Sequence, residues 1–324
     1  MIRHGVFKKK EMKRITRFIC VWLTIIFCIS RANAQDVDSL VRSLSNDQKF
    51  NSVEATFKAT HIVLSQSTET QKQHDLDLRI RHHFGDIGGA FGSSHTLYGL
   101  DVATDLFIGL DYGITDKLTV GIGRSKHDEL FNFLVKQKIG QQRDGGIPVN
   151  LTLFAQIGWI TRASFSIDEF NGTTDRLTYL IQPVISRKFS SAFSFQVMPA
   201  WLIRTKTTGV TDPKNLFSIG FAGRMKLNKR LSFIADYTLI NELSRKDLTA
   251  ERYNPLGVGL EIETGGHIFS LNFMNSEYIN ENSFITDTRK SWKHGGVRFG
   301  FTISRTFSLF KSKNKNPDTK STIY

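Results

Sequence analysis

Asp75–Ser125 reads DLDLRIRHHFGDIGGAFGSSHTLYGLDVATDLFIGLDYGITDKLTVGIGRS, and this stretch decides the fold class. In its first nine residues Leu76, Leu78 and Ile80 alternate with Asp75, Asp77, Arg79, Arg81 and His83. Successive strand side chains point to opposite faces, so the pattern builds a strand with one apolar and one charged face. The pattern returns twice. Leu106, Ile108, Leu110 and Tyr112 alternate with Phe107, Gly109, Asp111 and Gly113; then Leu118, Val120 and Ile122 alternate with Thr119, Gly121 and Gly123. Thr115-Asp116-Lys117 is short enough for a hairpin turn, whereas 85–101 is a long polar loop. Long loops at one end and tight turns at the other are the plan of a transmembrane β-barrel.

The rest of the chain continues the plan. Strand-like runs follow at 129–139, 148–160, 175–188, 192–204, 216–227, 231–241, 255–264, 267–275 and 296–309. With the first three they predict an all-β, antiparallel, up-and-down transmembrane barrel of about 12 strands, or 14 if one pair is missed. Pro183 predicts a bulge in its strand. Short and long connections alternate, apart from 126–147, so both ends of the barrel domain (53–310) fall on the short-turn side. Residues 53–64 do not alternate cleanly and read either as an extra strand or as a segment packed inside the barrel. A soluble sandwich would alternate too, but its loop lengths need not alternate by side. Tyr112, Trp159, Trp201 and Tyr237 are candidates for the aromatic girdles at the membrane surfaces.

Ahead of this domain, a basic segment precedes an apolar run, Phe18–Ile29, and then Ala32-Asn33-Ala34. This is the pattern of a secretory signal peptide over 1–34, cleaved after Ala34. Twelve apolar residues are too few to span a bilayer, which takes about 20. Residues 35–52 read as a polar periplasmic lead. The signal takes eight of the 43 Lys and Arg and one of the 30 Asp and Glu, which lowers the net charge from +13 to +6. Nucleic-acid binding is therefore not expected from charge. Both cysteines, Cys20 and Cys28, leave with it, so neither a disulfide nor a thiolate metal site is expected. The tail 311–324 is polar and basic and is expected to be disordered.

The candidate site is the charged face. Asp77, Arg79, Arg81, His83, Asp111, Arg224, Asp236, Glu261 and Arg298, with Gln156 and Glu263, are placed in the lumen by their phase. Such residues either line a narrow selective pore or pair across the interior and plug it. Neighbouring His82 and His83 point to opposite faces, so a shared metal ion is not expected. No cofactor is expected. Gly-x-Ser-x-Gly and His-Glu-x-x-His are absent. A hydrolase would need a Ser, a His and an acid to converge, and Ser125 with His127, or Ser93 with His95, are the available pieces.

The pieces at 76–85, 98–101 and 108–125, with Phe-Lys-Ala-Thr at 57–60, resemble a bacterial family of outer-membrane β-barrel proteins, domain of unknown function 5777. The resemblance covers about 53–155 closely and the remainder more loosely. It implies a barrel and an outer-membrane address, with outer-membrane lipid as surroundings, and no activity. The final strand ends Thr306-Phe307-Ser308-Leu309-Phe310, which is similar to the aromatic-ended signal read by barrel-assembly machinery, although here a tail follows. The expected function is a non-enzymatic small-solute channel or binding barrel, with a barrel hydrolase, or a structural or receptor barrel working through its loops, as alternatives.

Overall fold

The computed structural model describes residues 53, 55–89, 91–143, 145–207, 212–241 and 251–310. The signal peptide, the 35–52 lead and the 311–324 tail lie outside the described residues. Twelve antiparallel strands follow one another round a closed barrel. They are β1 (Asp75–Asp86), β2 (Ala103–Thr115), β3 (Leu118–Ser125), β4 (Leu130–Gly140), β5 (Asn150–Ile160), β6 (Leu177–Lys188), β7 (Phe193–Arg204), β8 (Asn215–Lys226), β9 (Leu231–Ile240), β10 (Leu256–Thr264), β11 (His267–Met274) and β12 (Arg298–Ser308). β1 pairs with β2 on one side and with β12 on the other, which closes the wall. Closure leaves no unpaired sheet edge, the condition for strands to stand in lipid. The long connections gather at one end, here called the outer end, and the tight turns at the other.

Both predicted faces form. Outward side chains are apolar all round the barrel, with Ile108, Phe133, Ile157, Phe217, Leu239, Leu260 and Leu271 among the most exposed. Trp159, Trp201 and Tyr237 stand on this face toward the outer end, and Trp201 stacks on Phe217 at 5.6 Å. Tyr112 lies near the turn end, where its hydroxyl meets His74 Nδ1 at 2.9 Å and His74 packs edge-on to Phe310.

Pro183 does not make a bulge. β6 and β7 pair over Thr178–Ile181 with Trp201–Arg204 and over Ile185–Lys188 with Ser194–Val197, in one unshifted register. Between them lies a gap in which Pro183 stands opposite Pro199. Neither proline has an N–H to give, so the ladder is interrupted without an extra residue.

Residues 53–64 are not a wall strand. The chain from Ala55 to Gln73 enters the barrel at the turn end, doubles back at Ile62–Ser65, and leaves toward β1. Ile62 N–H donates to Ser65 O, and Ser67 N–H donates to Thr60 O. Phe57, Ile62, Val63, Leu64, Ser67 and Thr68 are buried inside the barrel. The wall makes room with glycine. A Cβ on Gly113 would collide with the Lys72 carbonyl, and one on Gly257 would collide with Val63.

Candidate functional site

The lumen is closed by chain, and its wall is of two kinds. β6 and β7 carry Leu180, Val184, Met198, Ala200 and Leu202 inward, continued by Phe154, Leu216, Ala222, Ile234 and Ile240 on β5, β8 and β9. These pack on Phe57, Ile62, Val63 and Leu64 of the inserted segment. The remaining arc, chiefly β1, β2, β4, β10 and β12, carries charge. Arg79 lies 2.8 Å from Asp111 and 3.5 Å from Asp77. Its guanidinium also donates to Thr60 Oγ1 at 3.0 Å and meets His61 Nδ1 at 2.7 Å. Arg81 donates to Val63 O at 2.8 Å. Lys136 Nζ donates to Thr60 O at 2.7 Å and Ser67 O at 3.2 Å. Asp236 accepts the Leu64 and Ser65 N–H groups at 2.6 and 2.9 Å. A Gln196 amide donates to Gln66 O, Thr152 donates to Thr68 O, and the Thr68 and Ser186 hydroxyls stand 2.7 Å apart.

The residues placed in the lumen by phase are there, but they face protein. Asp77, Arg79, Arg81, His83, Asp111, Asp236, Glu261 and Arg298 are all buried. Arg224 and Glu261 pair at 2.8 Å across two strands. Arg298 holds Asp86 at 2.6 Å and Glu277 at 2.7 Å. Glu263, at the turn end, meets Lys58 of the inserted segment at 3.1 Å. Asp105 and Lys136 belong to the set too. Strand parity would have found both, since Lys136 shares a face with Asn132 and Leu134, and Asp105 with Phe107. The apolar arc was hidden because an alternating pattern does not say which apolar side chains face inward on a strand that is apolar on both faces, as β6 and β7 are.

A second stopper enters from the outer end. The 275–297 loop carries one helical turn, α1 (Glu281–Phe284), and buries Ile279, Phe284 and Ile285. Ile279 N–H donates to Asp105, and Ile279 O accepts from Arg81. The two stoppers touch where Gln66 Nε2 donates to Glu281 Oε1 at 2.9 Å.

Above α1 the outer loops surround a vestibule. Arg162 organises it, with Nε 2.6 Å from Asp128, Nη2 2.5 Å from Glu169, and its guanidinium 3.9 Å over the Phe165 ring. Burial works against ionisation of Asp128, yet hydrogen bonds from His127 and Arg162 pull its pKa down to about 2. The Arg162 guanidinium likewise holds Glu169 below the usual carboxylate range. Burial, with Asp287 and Glu277 nearby, pushes the Tyr278 phenol up, and its ring stacks on His127 at 3.9 Å. The hydrolase pieces do not converge at Ser125. Its hydroxyl donates to Asp105 at 2.5 Å, while the His127 ring is engaged by Asp128 and Tyr278.

A closed wall, apolar outside all round and polar or protein-filled within, defines a membrane β-barrel. The chain belongs to the family described as membrane bound beta barrel domain (DUF5777), whose model matches residues 57–307. Among solved structures the chain is similar to the NanC porin, at 10% identity and a TM-score of 0.45, over 72% of this chain and 100% of that one. It is also similar to the COG4313 outer membrane channel from Pseudomonas putida F1, at 11% identity and a TM-score of 0.44, over 74% and 98%. No curated protein matches the sequence.

Proposed function

We propose that this protein is a gated, non-enzymatic solute channel of the outer membrane, and that residues 55–73 are its gate. The observation that carries this is how the lumen is filled. The filling is the segment ahead of β1, which among the described residues pairs with no wall strand; the bridge it makes is to itself, His61 with Gln66. It can therefore leave without breaking the ladder that holds the barrel together. Arg81, Lys136 and Gln196 hold it mainly through its backbone carbonyls, contacts that water entering from either end can replace. An outer-membrane address is supported by the even strand number, the apolar belt and the expected signal peptide, and an aromatic-ended last strand suits assembly by the barrel-insertion machinery.

The test is a lock. The Thr68 and Ser186 hydroxyls are in contact, so T68C/S186C in chain lacking residues 1–34, and hence any other cysteine, places two thiols in bonding range. In planar bilayers the reduced protein should conduct and the oxidised protein should be shut. Equal conductance in both states, or none in either, would end this reading.

A further inference from the structure

The outer vestibule holds a cavity that the closed lumen does not use. About 160 Å³ lies open between the 161–176 loop, the outer end of β7 and α1. Two observations give it a chemistry. The first is at its floor, where Asn282 of α1 is 4% exposed and neither its Oδ1 nor its Nδ2 meets a partner in the protein. A buried amide left unpaired is costly, so the site is complementary to a molecule that brings a hydrogen-bond donor and an acceptor.

The second is charge. The lining has one more Arg and Lys side chain than Asp and Glu. Arg162, Arg204, Lys206, Arg252 and Arg289 each have a carboxylate within ion-pairing distance. Arg176 has none among the described residues. Its guanidinium is held by neutral oxygens, Arg162 O at 2.6 Å, Ser164 Oγ at 3.1 Å and Ile160 O at 3.3 Å, and lies 4.3 Å over the Phe170 ring. Neutral acceptors and a ring face fix the plane of a guanidinium without cancelling its charge, which prepares it for an anion.

We propose that the vestibule binds a small organic carboxylate that also carries hydroxyl or amide groups. The carboxylate meets Arg176, and the neighbouring polar group satisfies Asn282. This deepens the gated-channel reading by naming the class of solute, and it rests on that reading only for the step from binding to passage. Asn282 belongs to the outer stopper, so a bound solute touches the element that meets the gate, through Glu281 and Gln66.

The test measures binding to the full chain, refolded in detergent, by titration calorimetry. Gluconate is the probe, and glucitol, which has the same carbon chain without the charge, is the control. Gluconate should bind at least about tenfold more tightly than glucitol, a difference of about 1.4 kcal/mol. R176Q and N282D should each remove about tenfold or more of that affinity, whereas R187Q, near the turn end of β6, should leave it unchanged. N282D is nearly isosteric, so it keeps the test decisive if R176Q fails to fold, as judged by gel mobility with and without boiling. Equal affinity for the two probes, no gluconate binding, or gluconate binding that survives N282D would overturn the proposal. The oxidised T68C/S186C protein should still bind gluconate, because the vestibule lies beyond the lock. Binding without any switch in conductance would therefore sink the gate and leave the vestibule standing.

Discussion

The two arcs of the lumen wall hold the same segment in opposite ways. On β1 and β4, Arg79, Arg81 and Lys136 fix it by directed hydrogen bonds, with Arg79 itself held by Asp111 on β2. On β6 and β7, Leu180, Val184, Met198 and Leu202 offer contact alone, and only Ser186 and Gln196 add a hydrogen bond. Directed bonds set which residue sits where; a slip of one residue would leave Asp236 without its two N–H groups and Lys136 without its carbonyls. Apolar contact sets how strongly the segment stays. When water enters, a hydrogen bond is exchanged for one to water and its net worth is only about 0.5–1.5 kcal/mol. Burial of Ile62, Val63 or Leu64 is worth roughly 1.5–3 kcal/mol each and is not returned by water. The charged arc therefore supplies the register and the apolar arc most of the cost of removing the segment.

The largest blow to this division would fall on the charged arc itself. Arg79→Met removes the cation between Asp77 and Asp111 and leaves two buried carboxylates facing each other. Breaking a buried pair from one side costs about 3–5 kcal/mol. Urea unfolding from lipid vesicles, followed by boiling-dependent gel mobility, should show a loss of that size. A loss under about 1 kcal/mol would mean that water already reaches the site and that the arc is not dry.

A second pair of substitutions exchanges the characters at the seam between the arcs. Thr152 on β5 stands directly opposite Val184 on β6, both turned inward. Val184→Thr, nearly equal in volume, puts a hydroxyl into the apolar arc and should cost about 1–3 kcal/mol. Thr152→Val removes the donor to Thr68 O and should cost about 0.5–1.5 kcal/mol. The same unfolding assay ranks them. If Thr152→Val proved the more damaging, the two arcs would not differ in how they hold the segment.

How far this organisation can be read from sequence follows the same line. The wall was legible because lipid and lumen impose a two-residue period, and Asp77, Arg79, Arg81 and His83 alternate with Leu76, Leu78 and Ile80 without a break. Period also put the nine candidate residues on the inner face, although it could not say that protein rather than water would meet them. That depends on long-range fit, such as a Val63 side chain against Gly257, for which no local pattern exists. The 53–64 stretch failed to alternate for a physical reason, since a segment surrounded by wall has no solvent face to mark. The vestibule was not legible at all. Arg162 and Glu169 lie in an irregular loop and Arg176 ends the short 3-10 turn that follows it, so spacing carries no information about which side chains converge.

The smallest expected effect concerns the wall behind the apolar arc. At the β6–β7 gap Pro183 faces Pro199, both faces of the wall are apolar, and three residues on each strand lack ladder partners. P183V/P199V would supply two donors in an unshifted register, each bond worth about 0.5–1.5 kcal/mol. Against this, each proline restrains the unfolded chain by about 0.4–1 kcal/mol, which the double substitution forfeits. The two nearly cancel, so a stability change within about 1 kcal/mol is expected and hydrogen exchange is the sharper readout. The amides introduced at 183 and 199 should exchange as slowly as those of Tyr179 and Val197, which lie in paired stretches of the same strands. Fast exchange at both would mean that the strands are held apart by the packing of Met198 and Val184 behind them rather than by the missing N–H groups. The apolar arc would then be shaping its own wall as well as gripping the inserted segment.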